Sequence, residues 1–379
     1  MSLVGVDAWG FDQERQAFAR RLRTRRRWLA GARASLLAGF LVALLAGGSR
    51  MLDSWVEGVP APSWARTAAF ITILYSVGSG LLLPFAYVSG YRWEVEADLS
   101  SRTRGSWLRD QGKGFVLGLG ATVLGGEVLL WLLATSPDWW WLAAWALGAL
   151  TAFGLSILAP VLLVPMFFRS RPVQDPSLRS RIEALATAAG VPVVGVYELG
   201  ASAKTRRSNA GVMGHGRTRR IVVTDTLLSD YSHDEIDAVL AHELGHEKFR
   251  DPFTGLVYTV TVSLGVAAAV GILYALTFRT FLLASRTNLG GLPVLALWAG
   301  LLSLATSPID LWWSRRRERR ADRFALELTT KPAAFASAIA KLHDKNLGVA
   351  HPTRWEVWLL YSHPSGRERV EAARAFAAS

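Results

Sequence analysis

The sequence predicts a mainly α, polytopic helical membrane protein, with about six transmembrane helices and a small α+β domain outside the bilayer. Three observations carry this prediction. The 379-residue chain is 51% hydrophobic, with a mean hydropathy of +0.25 and sixteen Trp, which is more apolar than a soluble core of this size requires. Six apolar runs approach or reach the roughly twenty residues that a helix needs to cross a bilayer. Short β-branched segments, in turn, are confined to one polar stretch between the fourth and fifth runs. With no Cys, the chain has no disulfide framework, no thiol nucleophile and no thiolate ligand, so any metal site must use His and carboxylates.

Residues 1–33 form a basic segment, expected in the cytoplasm, with Arg15, Arg20, Arg21, Arg23, Arg25, Arg26, Arg27 and Arg33 ahead of the first apolar run at 34–48. Ser49-Arg50-Met51 offers no small-residue cleavage site, so that run reads as a retained, somewhat short span. The net charge of +12 suits anionic lipid or nucleic acid, and the clustering of arginines beside apolar runs favours lipid. A nucleic-acid-binding arm is the competing reading of the flank, which lacks interleaved stacking residues. Further spans are expected at 67–90, 114–134, 141–168, 254–278 and 289–312. The connection at 91–113 carries Arg92, Arg102, Arg104, Arg109 and Lys113, whereas 49–66 and 135–140 are acidic or weakly charged. The positive-inside rule therefore puts the amino terminus, 91–113, 169–253 and 314–379 in the cytoplasm. The chain divides into 1–33, a four-span region at 34–168, a cytoplasmic segment at 169–253, spans five and six at 254–313, and C-terminal helices at 314–379.

Glu127 lies inside the third span, where a carboxylate faces a bundle interior or a wet cavity; its role stays open. Gly114, Gly118, Gly120, Gly125 and Gly126 follow no strand, so they read as helix-packing positions and not as a nucleotide loop. In the polar stretch, Ile182, Leu185, Ala186 and Ala189 recur at helical spacing, ending at Gly190 and Pro192. Residues 191–199 and 220–226 read as strands, with a weaker one at 208–212 placed at the sheet edge by its glycines. A helix is expected over 234–248, capped by Ser232 with Glu235 at capping-box spacing.

That helix carries His242-Glu243-Leu244-Gly245-His246. Residues four apart share a helix face, so both imidazoles can reach one metal ion with Glu243 beside it. A catalytic zinc takes three protein ligands and keeps one position open. Glu318, just beyond the sixth span, qualifies as the third, and Asp322, one turn on, can take the ring N–H of a ligating His. One Zn2+ per chain is expected. Zinc polarises a carbonyl and acidifies water; Glu243, not a ligand, takes the proton and delivers it to a leaving amine. The developing oxyanion needs a donor, for which His363 and Arg369 are candidates. His215, His233, His343 and His351 have no partner spacing and read as surface residues.

The chain resembles the type I CAAX prenyl endopeptidases, integral-membrane zinc metalloproteases, and their bacterial relatives. The resemblance runs from about residue 160 to the carboxy terminus. It rests on Ser208-Asn209-Ala210 with the segment 220–228, on Val239-Leu240-Ala241 leading into the two-histidine motif, and on Ser314-Arg315-Arg316 with Glu318, Ala321 and Asp322. Asp344-Lys345-Asn346-Leu347-Gly348, Tyr361-Ser362-His363-Pro364 and Glu368-Arg369 complete it. It implies His242, His246 and Glu318 as ligands, Glu243 as general base, Asp322 behind the ligands, and His363 and Arg369 on the substrate backbone. It also implies a helical barrel around a water-filled chamber with the zinc at its cytoplasmic end. The eukaryotic members have seven spans, and the family's aromatic-rich edge strand is replaced here by Ala210-Gly211-Val212.

The leading expectation is a membrane zinc endopeptidase that cleaves peptides or membrane-associated proteins, in CAAX-type or quality-control proteolysis. The peptide would add a strand along Asn209, Ala210, Gly211 and Val212. The alternative is a membrane chaperone or translocon-associated binding protein with a structural zinc.

Overall fold

The computed structural model describes residues 5–214 and 216–379, and the backbone alone at 159–165, 167 and 217. His215 lies outside the described residues. Helices α1 (Gln13–Ala43) and α2 (Ser49–Glu57) form one bent span, joined at Leu44–Gly48, where Gly47 takes φ 143°, a conformation open to glycine. The helix therefore overruns the expected end of the first span at residue 48. Its polar residues there are satisfied inside the protein: Ser49 Oγ donates to Gly290 O at 3.2 Å, and Asp53 Oδ2 accepts from Gly290 N–H at 3.1 Å.

The chain continues through α3 (Ser63–Tyr87), a short α4 (Trp93–Glu96), α5 (Arg104–Thr135) and α6 (Trp140–Phe167), and returns to the membrane at α10 (Asp251–Thr277) and α11 (Leu292–Thr329). Among the described residues, six helical stretches are long and apolar enough to cross a bilayer, the number expected. Two of the α5 glycines allow close packing on α3, since a Cβ would meet Tyr75 Oη at Gly118 and Ile71 Cδ1 at Gly126; Gly114, Gly120 and Gly125 face open space. Glu127 Oε1 is buried without a hydrogen-bond partner.

Outside the spans, α7 (Pro176–Ala188) and α9 (His233–Lys248) pack on a four-stranded sheet of order β1-β2-β4-β3. Strands β1 (Ser170–Pro172) and β3 (Ala210–Met213) are antiparallel to their neighbours β2 (Val196–Leu199) and β4 (Arg220–Thr224), which run parallel to each other. Ile182, Val196, Ile221, Val223, Leu227, Leu240 and Leu244 form the core between these layers. The edge position of β3 is as expected. The strand at 191–199 is shorter because Pro192 lies at its start, and 220–226 ends early because Asp225 opens α8 (Asp225–Asp230). Strand β1 is missed from sequence because three residues ending in Pro show no alternation. Ser232 and Glu235 form the capping box of α9.

The last span does not stop at the membrane. Helix α11 runs uninterrupted to Thr329, followed by α12 (Pro332–Asn346), α13 (Arg354–Leu360) and α14 (Gly366–Ala377). Helix α9 packs most extensively on α11 and also against α12. The amino terminus is not a free arm: Phe11 is fully buried among Ala238, Ala241, Phe335, Ala350 and Val370, and Gln16 Nε2 donates to Asp344 Oδ1 at 2.8 Å. His343 and His351, read as surface residues, are half-buried against Phe11. His351 Nε2 is 2.8 Å from Asp7 Oδ2, and His343 Nδ1 is 3.0 Å from Ile339 O. His233 is exposed.

Candidate metal centre

The site is assembled where α9 crosses the membrane-distal part of α11. Gly245, between the two histidines, makes that crossing possible: a Cβ there would lie 3.2 Å from Ala321 Cα and 3.1 Å from Phe324 Cδ1. The absence of side chain at 245 and the single methyl of Ala321 let the backbones approach. As a result Glu318, one turn before Ala321 on α11, comes level with His242 and His246.

His242, His246 and Glu318 each offer a ligand atom, all within 4.8 Å of one another. The two Nε2 atoms are 3.2 Å apart, and Glu318 places Oε2 3.3 Å from His242 Nε2 and Oε1 3.4 Å from His246 Nε2. Both Nδ1 atoms are engaged elsewhere. His242 Nδ1 lies 2.8 Å from Asp322 Oδ1, and His246 Nδ1 lies 2.8 Å from Asp251 Oδ2. With each Nδ1–H donating to a carboxylate, the lone pairs left at Nε2 converge on one point. His242, Glu318 and Asp322 are buried.

These residues fit a divalent metal. Glu318 Oε2 is buried without an aligned hydrogen-bond partner, although His363 Nδ1 approaches it to 2.7 Å. A buried carboxylate whose two oxygens each face one of the imidazole nitrogens is a donor set that N/O-binding metals take up. The electrostatics agree with this. Burial works against an imidazolium at His246, but the carboxylates of Asp251 and Glu318 outweigh it and hold its pKa up to about 10, so the cage favours positive charge at its centre. Glu243 points to the same side without joining the cluster; burial pushes its carboxyl above the ordinary range, against the pull of His242 and His246.

Asp251 was missed from sequence. It sits five residues beyond His246, past a tight reversal in which Arg250 takes φ 56°, and it opens α10 with Pro252 behind it. A search for carboxylates within five residues on either side of the second histidine would have returned it, together with Glu243 and Glu247. Arg320 pairs with it, and Arg317 Nη1 donates to its carbonyl at 3.2 Å.

Arg369 is forked onto Asp322, Nε donating at 2.9 Å to Oδ2 and Nη2 at 2.5 Å to Oδ1. Its guanidinium therefore acts on the carboxylate behind His242 as well as forming part of the cavity wall. That cavity, about 110 Å³, is bounded by His242, Glu243, His363 and Arg369, by Asn209 and Ala210 of the edge segment, and by apolar residues of α9 and α12. Gly211 and Val212 continue β3 beyond the cavity wall. The ring of His363 is largely exposed and is carried by the segment after α13. Arg315 pins that segment to α11, with Nη1 donating to Val357 O at 2.8 Å and Tyr361 O at 2.7 Å.

Comparison with known proteins agrees with this architecture. The profile of peptidase family M48 matches residues 172–377, and that of the CAAX prenyl protease N-terminal region, described as five membrane helices, matches 21–169. Three of the described spanning helices fall in the latter stretch, and most of a fourth, Gln13–Glu57, does. The chain is 31% identical over 338 residues to the uncharacterized metalloprotease YhfN of Bacillus subtilis, covering 88% of this chain and 79% of that protein. It is 28% identical over 330 residues to CAAX prenyl protease 1 of Saccharomyces cerevisiae, covering 81% and 72%. The crystal structure of S. mikatae Ste24p superposes with a TM-score of 0.83 at 23% identity, over 96% of this chain and 89% of that one, which establishes a shared fold. The chain belongs to peptidase family M48, as a multi-pass membrane metalloendopeptidase with the CAAX prenyl protease architecture.

Proposed function

We propose that this protein holds one zinc ion on His242, His246 and Glu318 and hydrolyses peptide bonds of membrane-associated substrates, with Glu243 as general base. The observation that carries the reading is the convergence of both Nε2 atoms and the Glu318 carboxylate, with Asp322 and Asp251 behind the two rings. Bound zinc supplies a Lewis acid for the scissile carbonyl and brings the acidity of water near neutrality. Glu243, held on the same helix face but outside the ligand set, takes the proton from the attacking water and returns it to the leaving amine. His363, exposed at the cavity rim, donates to the developing oxyanion. Arg369 keeps Asp322 in place and faces the substrate from the cavity wall. The peptide lies along Asn209, Ala210, Gly211 and Val212, extending the sheet by one strand.

Three ligand side chains in place of four favour a catalytic site over a structural zinc. The arginines at 15–33, 92–109 and 315–320 support an orientation with the amino terminus and the metal centre in the cytoplasm. The names of the relatives support CAAX-type cleavage, and a site next to the cytoplasmic leaflet equally suits the removal of damaged membrane proteins. The test is Glu243→Gln in the purified, zinc-loaded chain: turnover of a model peptide falls by at least 10²-fold, the scale of general-base catalysis, while zinc content stays stoichiometric. Unchanged turnover would remove Glu243 from the mechanism.

A further inference from the structure

The segment that leads into the edge strand is held by a residue that the hydrolytic chemistry does not use. Asn346, at the end of α12, turns its side-chain amide onto the main chain of Ser208: Oδ1 accepts from Ser208 N–H at 3.2 Å, and Nδ2 donates to Ser208 O at 3.2 Å. A single side chain thus satisfies both polar groups that a neighbouring strand would otherwise pair.

The register shows which edge those groups belong to. Residues 210–213 pair with 223–220, and Thr224 N–H donates to Asn209 O at 3.0 Å. In an antiparallel ladder the hydrogen-bonded residues alternate, so the main chains of Asn209, Gly211 and Met213 face β4. Those of Ser208, Ala210 and Val212 face the open edge. Asn346 therefore occupies the first outward position, and Ala210 and Val212 are the next two. Ala210 N–H is held for the moment by the side chain of its own neighbour, Asn209 Oδ1, at 3.0 Å, a local contact that a peptide can displace.

We propose that Asn346 is an end-stop for the substrate strand: by acting as the partner of Ser208, it confines the main-chain pairing of a bound peptide to Ala210 and Val212 and limits how far the substrate is held on that side of the scissile bond. This rests on the edge-strand reading given above. The stop is rigidly mounted. Arg207 Nη1 donates to the Asn346 carbonyl at 2.9 Å and forks onto Glu94, and Asp344 accepts from Gln16 and from Asp12 N–H. These contacts use the main chain of residue 346 or its neighbours, so they survive removal of the amide. Asn346 is a positioning residue, and its effect is on which peptide lengths bind.

The test uses the zinc-loaded full chain and fluorogenic peptides lengthened one residue at a time at each end, with kcat and KM measured separately. In the wild type, KM stops improving at one end once the peptide has passed Ala210. In Asn346→Ala, one further residue at that same end lowers KM by about fivefold, the worth of roughly one regained main-chain hydrogen bond, with kcat on short peptides unchanged. Asn346→Asp keeps the acceptor for Ser208 N–H but has no donor for Ser208 O, so it shows only part of the alanine variant's gain. Asn346→Ser, too short to span the gap, repeats the alanine result and replaces it should the alanine variant not fold. An alanine or serine profile that matches the wild type, or a KM shift uniform across all lengths, overturns the end-stop. Peptides N-methylated at single positions separate the two readings: methylation without effect at any position removes the edge-strand reading itself, whereas a position-specific rise in KM together with an unchanged Asn346→Ala profile removes only the end-stop.

Discussion

Gly245→Ala isolates the contact on which the metal centre depends. The added methyl would sit 3.2 Å from Ala321 Cα and 3.1 Å from Phe324 Cδ1, tighter than ordinary contact by a few tenths of an ångström. The Phe324 ring can rotate away, but Ala321 Cα is backbone, so relief requires α9 and α11 to separate. On propensity alone, alanine for glycine inside a helix is worth about 0.5–1 kcal/mol of stabilisation. Overpacking of this kind costs about 1–3 kcal/mol, so the net effect ranges from nothing to a loss of about 2.5 kcal/mol. The separation acts directly on the distance between Glu318 and the two histidines, because residue 245 adjoins His246 and Ala321 is one turn from Glu318. Zinc affinity should fall about 10- to 100-fold, the scale seen when the groups supporting metal ligands are disturbed, or about 1.4–2.8 kcal/mol. Thermal unfolding of the apo protein reads the first quantity, and chelator competition reads the second. A variant that is more stable than wild type and binds zinc equally well would show that propensity wins and that the helix approach at Gly245 does not set the site.

Three further perturbations separate the parts of the centre. Glu318→Ala should lose the metal while α9 keeps its helicity; full zinc occupancy, by elemental analysis, would mean that the third ligand is another residue. Asp251→Asn leaves His246 in place but weakens the acceptor at its Nδ1, so zinc affinity should drop about 10- to 100-fold, and the apo protein should lose stability too, because Arg320 and the His246 imidazolium lose their buried carboxylate partner; an affinity within twofold of wild type would remove Asp251 from the site. Phe11→Ala should cost about 3–5 kcal/mol, because the ring is fully buried between α9, α12 and α14; an unfolding temperature equal to wild type would mean that the amino-terminal segment is only loosely seated.

Much of this protein could be read without coordinates because its signals are local. Hydropathy periodicity depends on neighbours in sequence, and it marks six spanning stretches. The capping box Ser232–Glu235 and the four-residue spacing of His242 and His246 are properties of one helix, so the start of α9 and its two-imidazole face were legible. Arginine runs, by contrast, mislead when read as solvated charge. Arg315 is buried and holds the segment that carries His363, and Arg317 donates to the Asp251 carbonyl at the start of α10. Ser49 and Asp53 read as loop for the same reason, since polarity in sequence does not show a partner at Gly290.

The sequence by itself determined the helix with two imidazoles, the carboxylates available to complete it and the number of helices that cross the membrane, because each is encoded by spacing along one segment. Only the tertiary structure decided that Glu318 meets those imidazoles through a glycine-permitted crossing of α9 and α11, that Asp251 stands behind His246, and that Asn346 closes one end of the β3 edge. Those contacts join segments up to 138 residues apart, and their formation depends on interhelical distance and strand register, which no local pattern specifies.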